Sequence, residues 1–210
     1  MISLINKDFT LIKKNLLFVI LYLIAFPILI YFDRDNKYYL INIFVPFFSQ
    51  VFIIGKMCHI EDGLEIKKFI KILPIKSSLI VLTKYVETIC ILIVCQIYGI
   101  IIDLIVYKSV AVSLILKANL VIFLGTLIYG ICYLIVYYFK GYFIAQNSFL
   151  IFFTLIFLID SLLKKSNIKI ESLVNKSDNI LIIAVLVTVA IIYIGYHTCI
   201  KLIDREKYTV

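Results

Sequence analysis

EDGLEIKKFIKILPIKSSLIVLTK, residues 61–84, is the stretch on which the reading of this chain turns. It is the longest interval in the first half that a bilayer could not hold comfortably, and long runs of Ile, Leu, Val, Phe and Tyr lie on either side of it. Ile66, Phe69, Ile70 and Leu73 recur at i, i+3, i+4 and i+7, which is one face of a helix. Glu65, Lys67, Lys68 and Lys71 fall between them and point away. Pro74 has no amide to give a helix, so the short helix stops there and the chain turns. Ser77 or Ser78 is then placed to cap the next helix, whose apolar run begins at Leu79. An amphipathic helix, a proline corner and a basic-flanked return to the bilayer together make a surface on which something outside the membrane can press.

The flanking runs set the class. The chain has 210 residues, 63% of them hydrophobic and only 16% charged, with a mean hydropathy of +1.09. No soluble domain of this length could bury that much apolar surface, and the runs are too long for strands. The reading is therefore an all-α, polytopic membrane protein, one transmembrane domain over 1–210. A spanning helix needs about 20 apolar residues, and segments of that kind fall at 16–32, 38–54, 85–107, 119–139, 142–162 and 180–203. Residues 4–14 read as a short helix lying in the interface ahead of the first span, and Lys140-Gly141 as a very tight turn between the fourth and fifth.

Charge gives the orientation. The net charge of +8 would suggest nucleic acid in a soluble protein, but here the basic residues sit in loops and form no stripe, so they bear on topology and anionic headgroups, with no nucleic-acid partner expected. Arg34 and Lys37 alone mark the first turn, against six lysines from Lys56 to Lys84 in the second loop. With Lys7, Lys13 and Lys14 before the first span and Lys201, Arg205 and Lys207 in the tail, the count favours both termini inside. The lysines after the fifth span run the other way. The apolar run after Lys14 lacks a small-x-small cleavage signal, so it reads as a retained span.

Chemistry-bearing motifs are sparse. The five cysteines form no CxxC pair, and four lie inside apolar runs, where cysteine behaves as a small hydrophobe. His59 and His197 stand apart, and no pair of carboxylates or Ser/His/Asp set has an anchor, so no catalytic residue and no metal site is expected. Gly125 and Gly130 have phosphate-loop spacing, yet Ile131 and Cys132 stand where that loop needs Lys and Ser/Thr. Ionisable groups inside a span face protein or water. For Glu87 the alternatives are an intramembrane polar path shared with Gln96, or a plain ion pair with Lys84 three residues before it. The second is favoured.

On physics alone the 61–78 segment could equally lie in the headgroups, with its apolar face in lipid. A resemblance weighs against that. Glu61-Asp62, the amphipathic helix, Leu73-Pro74-Ile75-Lys76-Ser77-Ser78-Leu79-Ile80 and Lys84-Tyr85 together resemble a recurring feature of bacterial ABC permeases of the type-2 exporter class. In the small six-span members an acidic exit from span two leads to a Leu-Pro-x-Lys/Arg element, with Lys-Tyr at the start of span three. Lys7-Asp8-Phe9 with Lys13-Lys14 is similar as well. The motifs cover the first half; the second half matches by span count.

The resemblance implies a half-transporter in a bacterial cell membrane. Two permeases, copies or sister chains, pair around an exit route, and separate cytoplasmic ABC ATPase subunits bind and hydrolyse ATP. The chain itself would then be no enzyme and hold no cofactor. Segment 61–78 becomes the coupling segment, with Glu61, Asp62, Glu65, Ile66, Lys67, Phe69, Ile70, Leu73, Pro74 and Lys76 as its ATPase contacts. A peptide or other amphipathic cargo is implied by the small members, although the short loop after span five departs from larger relatives. The alternative is the solute-binding membrane component of an energy-coupling importer; its size and span count fit, but span one carries only Ala25 in place of the spaced alanines such subunits dock with.

Overall fold

A computed structural model describes residues 2–32, 38–63, 75–106, 111–165 and 178–208. Among these the chain forms six long helices: α1 (Ile2–Phe32), α2 (Tyr38–Glu61), α3 (Ser77–Val106), α4 (Val112–Lys140), α5 (Tyr142–Lys165) and α6 (Asp178–Tyr208). The middle of the bundle is α2, α3 and α4, each packed on the other two; α1 lies against α2 and α3, α5 against α2 and α4, and α6 against α3 and α4. Among the described residues, three stretches are long and apolar enough to cross a membrane, Ser77–Ile105, Val112–Lys140 and Leu181–Arg205. At 1.5 Å per residue a 30-residue helix such as α3 is about 45 Å long, well beyond the roughly 30 Å of a hydrocarbon core. Its extra turns reach the headgroups, where charge is tolerated.

The helices cohere through packing rather than through flight from water, since lipid is as apolar as leucine. Phe47 of α2 is fully buried and stacks on Phe149 and Phe152 of α5 at 5.2 and 4.9 Å between centroids, with Tyr129 of α4 at 4.7 Å. Buried Thr88, Thr126 and Thr188 each return their hydroxyl to the carbonyl four residues back, which removes the cost of a polar group there. Outward, α6 presents Ile182, Val187 and Ile194, and α5 presents Phe143 and Ile151, as lipid-facing helices do.

Two of the boundaries that differ from the sequence reading have a cause in buried polar residues. The segment at 4–14 is not a separate interfacial helix: α1 runs unbroken from Ile2, because nothing between Leu4 and Ala25 breaks a helix and Asp8 and Ile12, one turn apart, are buried in the bundle. α4 begins at Val112, seven residues before the expected 119, because Asn119 points inward to hydrogen-bond partners instead of marking the water boundary.

Candidate functional site: an ion cluster where a loop leaves and returns

Glu61 is the last residue of α2 and Lys84 lies two turns into α3, so the pair brackets the loop that interrupts the two helices. They meet. Lys84 Nζ lies 3.1 Å from Glu61 Oε1, donates to Asp8 Oδ2 of α1 at 2.8 Å, and stands 3.5 Å from Glu87 Oε2 on its own helix. Lys7 Nζ adds a second cation from α1, donating to Glu61 Oε1 at 3.1 Å and standing 3.2 Å from Asp8 Oδ1. Lys84 is 1% exposed. Each helix offers these groups on its inward stripe: Met57, Cys58 and Glu61 on α2, Val81, Lys84 and Thr88 on α3, Asp8 and Ile12 on α1, all buried. Burial alone would push the Asp8 carboxyl up, but the Lys84 ammonium, joined by Lys7, outweighs it and holds Asp8 below the usual carboxylate range.

The remaining helices are tied to the same two loop ends. Asp62 follows α2 and its Oδ2 accepts the backbone N–H of Tyr142, capping α5 from another helix. Gly141, between α4 and α5, has φ +84°, and a Cβ there would stand 3.2 Å from Asp62 Oδ2. His59 and Tyr142 bring their rings to 4.6 Å beside it. On the return side, neither Ser77 nor Ser78, the two candidates the sequence offered, is the N-cap. The Lys76 carbonyl takes the first helical bonds, from Leu79 and Ile80, and the Ser77 hydroxyl donates to Asp204 Oδ1 of α6 at 2.5 Å. Tyr196 of α6 donates to the Ser78 carbonyl at 3.3 Å, and Tyr85 and Cys199 touch at 3.9 Å. The two ends of one loop thus contact α1, the α4–α5 turn and α6.

The sequence-predicted residues divide accordingly. Glu61 is buried in the cluster, Asp62 is half-buried on the α4–α5 turn, and Lys76 is exposed. Glu65, Ile66, Lys67, Phe69, Ile70, Leu73 and Pro74 lie outside the described residues. Glu87 and Gln96 fall in separate groups with Ile91 and Leu92 buried between them on α3. Gln96 donates to Asn119 Oδ1 at 2.5 Å, and Asn119 donates to Asp103 Oδ2 at 2.8 Å, joining α3 to α4 far along the helix from Glu87. Sequence reasoning did not assign Asp8 and Lys84 a shared site; the only signal was that both stand in the short motifs on which the resemblance rested.

Among the described residues the chain is a bundle of helices with apolar outer faces and three stretches able to span a bilayer, which makes it a multi-pass membrane protein. The comparisons carry it further: the family model described as ABC-2 family transporter protein matches residues 3–204, and the chain belongs to that family of membrane permeases. Neither a curated protein nor a solved structure matches it.

Proposed function

We propose that this chain is the membrane-spanning subunit of an ATP-driven exporter, paired with a second permease and driven by separate cytoplasmic ATPase subunits. In this reading all six helices cross a bacterial cytoplasmic membrane, both termini lie inside, and the 61–78 segment is the coupling segment seated on the ATPase. Family membership supports the permease role and the separate ATPase. The observation that carries the coupling role is the wiring of the loop ends: through Glu61, Asp62, Ser77 and Lys84 a push on the segment reaches every helix of the bundle. Glu61 and Asp62 act as anchors facing inward, which leaves docking to the segment itself, with Phe69 and Leu73 as its apolar ridge and Lys76 at its edge. Rigid elements with discrete arrangements are what transmit such displacements. Cargo is a peptide or another amphipathic compound.

The test is affinity purification in mild detergent with mass spectrometry of what stays bound. An ATPase subunit retained by the wild type and lost in Phe69→Asp, with the variant still folded, is the expected result. Equal retention by both would remove the coupling role and return the segment to the lipid surface.

A further inference from the structure

Among the described residues, three carboxyls in the cluster face two ammonium groups. Asp8, Glu61, Glu87 and Lys84 are all buried, whereas about a third of the Lys7 side chain remains exposed. With every group ionised the cluster would hold an uncompensated negative charge, among the costliest things a protein interior can contain. The hydrogen bonding shows where the surplus sits. Lys84 donates to Asp8 and is shared with Glu61, while Glu87 is left at the long distance of 3.5 Å. Neither Glu87 oxygen accepts a hydrogen bond from a described residue, and neither does Asp8 Oδ1. Asp8 and Glu87 nevertheless stand against the same Lys84 ammonium, at 2.8 and 3.5 Å, which brings the two carboxyls side by side. Two ionised carboxylates cannot bond each other, since both only accept.

A single proton resolves the charge and the geometry together. We propose that the cluster is a proton-binding site, in which Glu87 holds one proton and donates it to Asp8 Oδ1. Asp8 and Glu61 then balance Lys7 and Lys84, the net charge is zero, and a carboxylic acid–carboxylate hydrogen bond joins α3 to α1. Among the described residues, the other titratable groups facing Glu87 do not replace the proton. Cys58 and Glu61 on α2 and Tyr138 on α4 bring no positive charge, and Lys84 is already divided among three carboxyls. The ligand is the proton itself, taken from and returned to water.

Infrared spectroscopy of the full chain in lipid nanodiscs, with carboxyl-13C-labelled glutamate, reads the proton directly. At neutral pH the expected result is a carboxylic-acid C=O band that the glutamate label and D2O both shift, and that Glu87→Gln lacks. A wild-type spectrum with no glutamate acid band at neutral pH overturns the proposal. Glu87→Gln keeps the shape and donor of the neutral acid, so its melting temperature should stay near the wild-type value at neutral pH and stay flat as the pH is raised. The wild type should fall on the alkaline side as the bond to Asp8 is lost. The same alkaline loss in both proteins counts against the site, and should Glu87→Gln not fold, the labelled wild-type band still decides.

Discussion

Lys84 is the residue on which the loop ends converge, and a lysine suits the position. Its flexible four-carbon stem can run along apolar surface while its compact ammonium stands among three carboxyls, which the planar fork of arginine would not match. Lys84→Met keeps the stem and removes the charge, leaving Asp8 and Glu61 buried without their main partner. The expected cost is about 3–5 kcal/mol, read as a loss of thermal stability in detergent, and a melting temperature equal to wild type would show that the cluster holds nothing together. Asp8 adds an acid-side signature. Because Lys84 and Lys7 lower its folded pKa beneath the unfolded value of about 3.9, its contribution is full above roughly pH 4 and drains away as the pH falls through the folded value. Asp8→Asn should lose stability at neutral pH and show less of this acid limb. The cluster was only half legible in the sequence. The i, i+3 pairing of Lys84 with Glu87 could be read from spacing, and it is present at 3.5 Å. The bond to Asp8 spans 76 residues, and periodicity tells which face of a helix is turned inward without telling which helix it meets.

At the scale of elements, the helices themselves were the most legible part, because runs of twenty apolar residues admit few other readings. Boundaries were less so where a polar residue turned inward: Asn119 looked like the start of a span and lies inside α4. The Lys140-Gly141 turn was read correctly as tight, and its geometry carries a prediction. Gly141 sits at φ +84° and ψ 177°, a region open essentially to glycine alone. Gly141→Ala should cost about 1–3 kcal/mol in backbone strain, with the added methyl pressed toward Asp62. Removing the cap in Asp62→Ala should cost about 0.5–2 kcal/mol. Because the two changes share one contact, the double variant should lose less than the two losses together, and strict additivity in denaturation would show that Asp62 does not hold this turn.

For the whole molecule, the apolar faces of α5 and α6 form a lipid-facing belt, and the charged loop ends mark one end of it. Both termini inside is the orientation proposed for that end, and it can be tested by labelling single cysteines placed in a cysteine-free protein. Lys13→Cys, Lys76→Cys and Arg205→Cys should react only from the cytoplasmic side, Lys37→Cys and Lys108→Cys only from outside; the reverse pattern would invert the molecule and put the 61–78 segment out of an ATPase's reach. Orientation was legible only through lysine counts, since an all-helical bundle has no feature of shape that distinguishes its two ends. The single residue between α4 and α5 has a mechanical corollary. Helices of 29 and 24 residues joined with so little slack cannot slide past one another, so they swing as one hairpin. Asp62 grips that hairpin at its bend. A carboxylate moving by an ångström at the end of α2 therefore steers two helices at once, as a hand on a hinge turns both leaves of a gate.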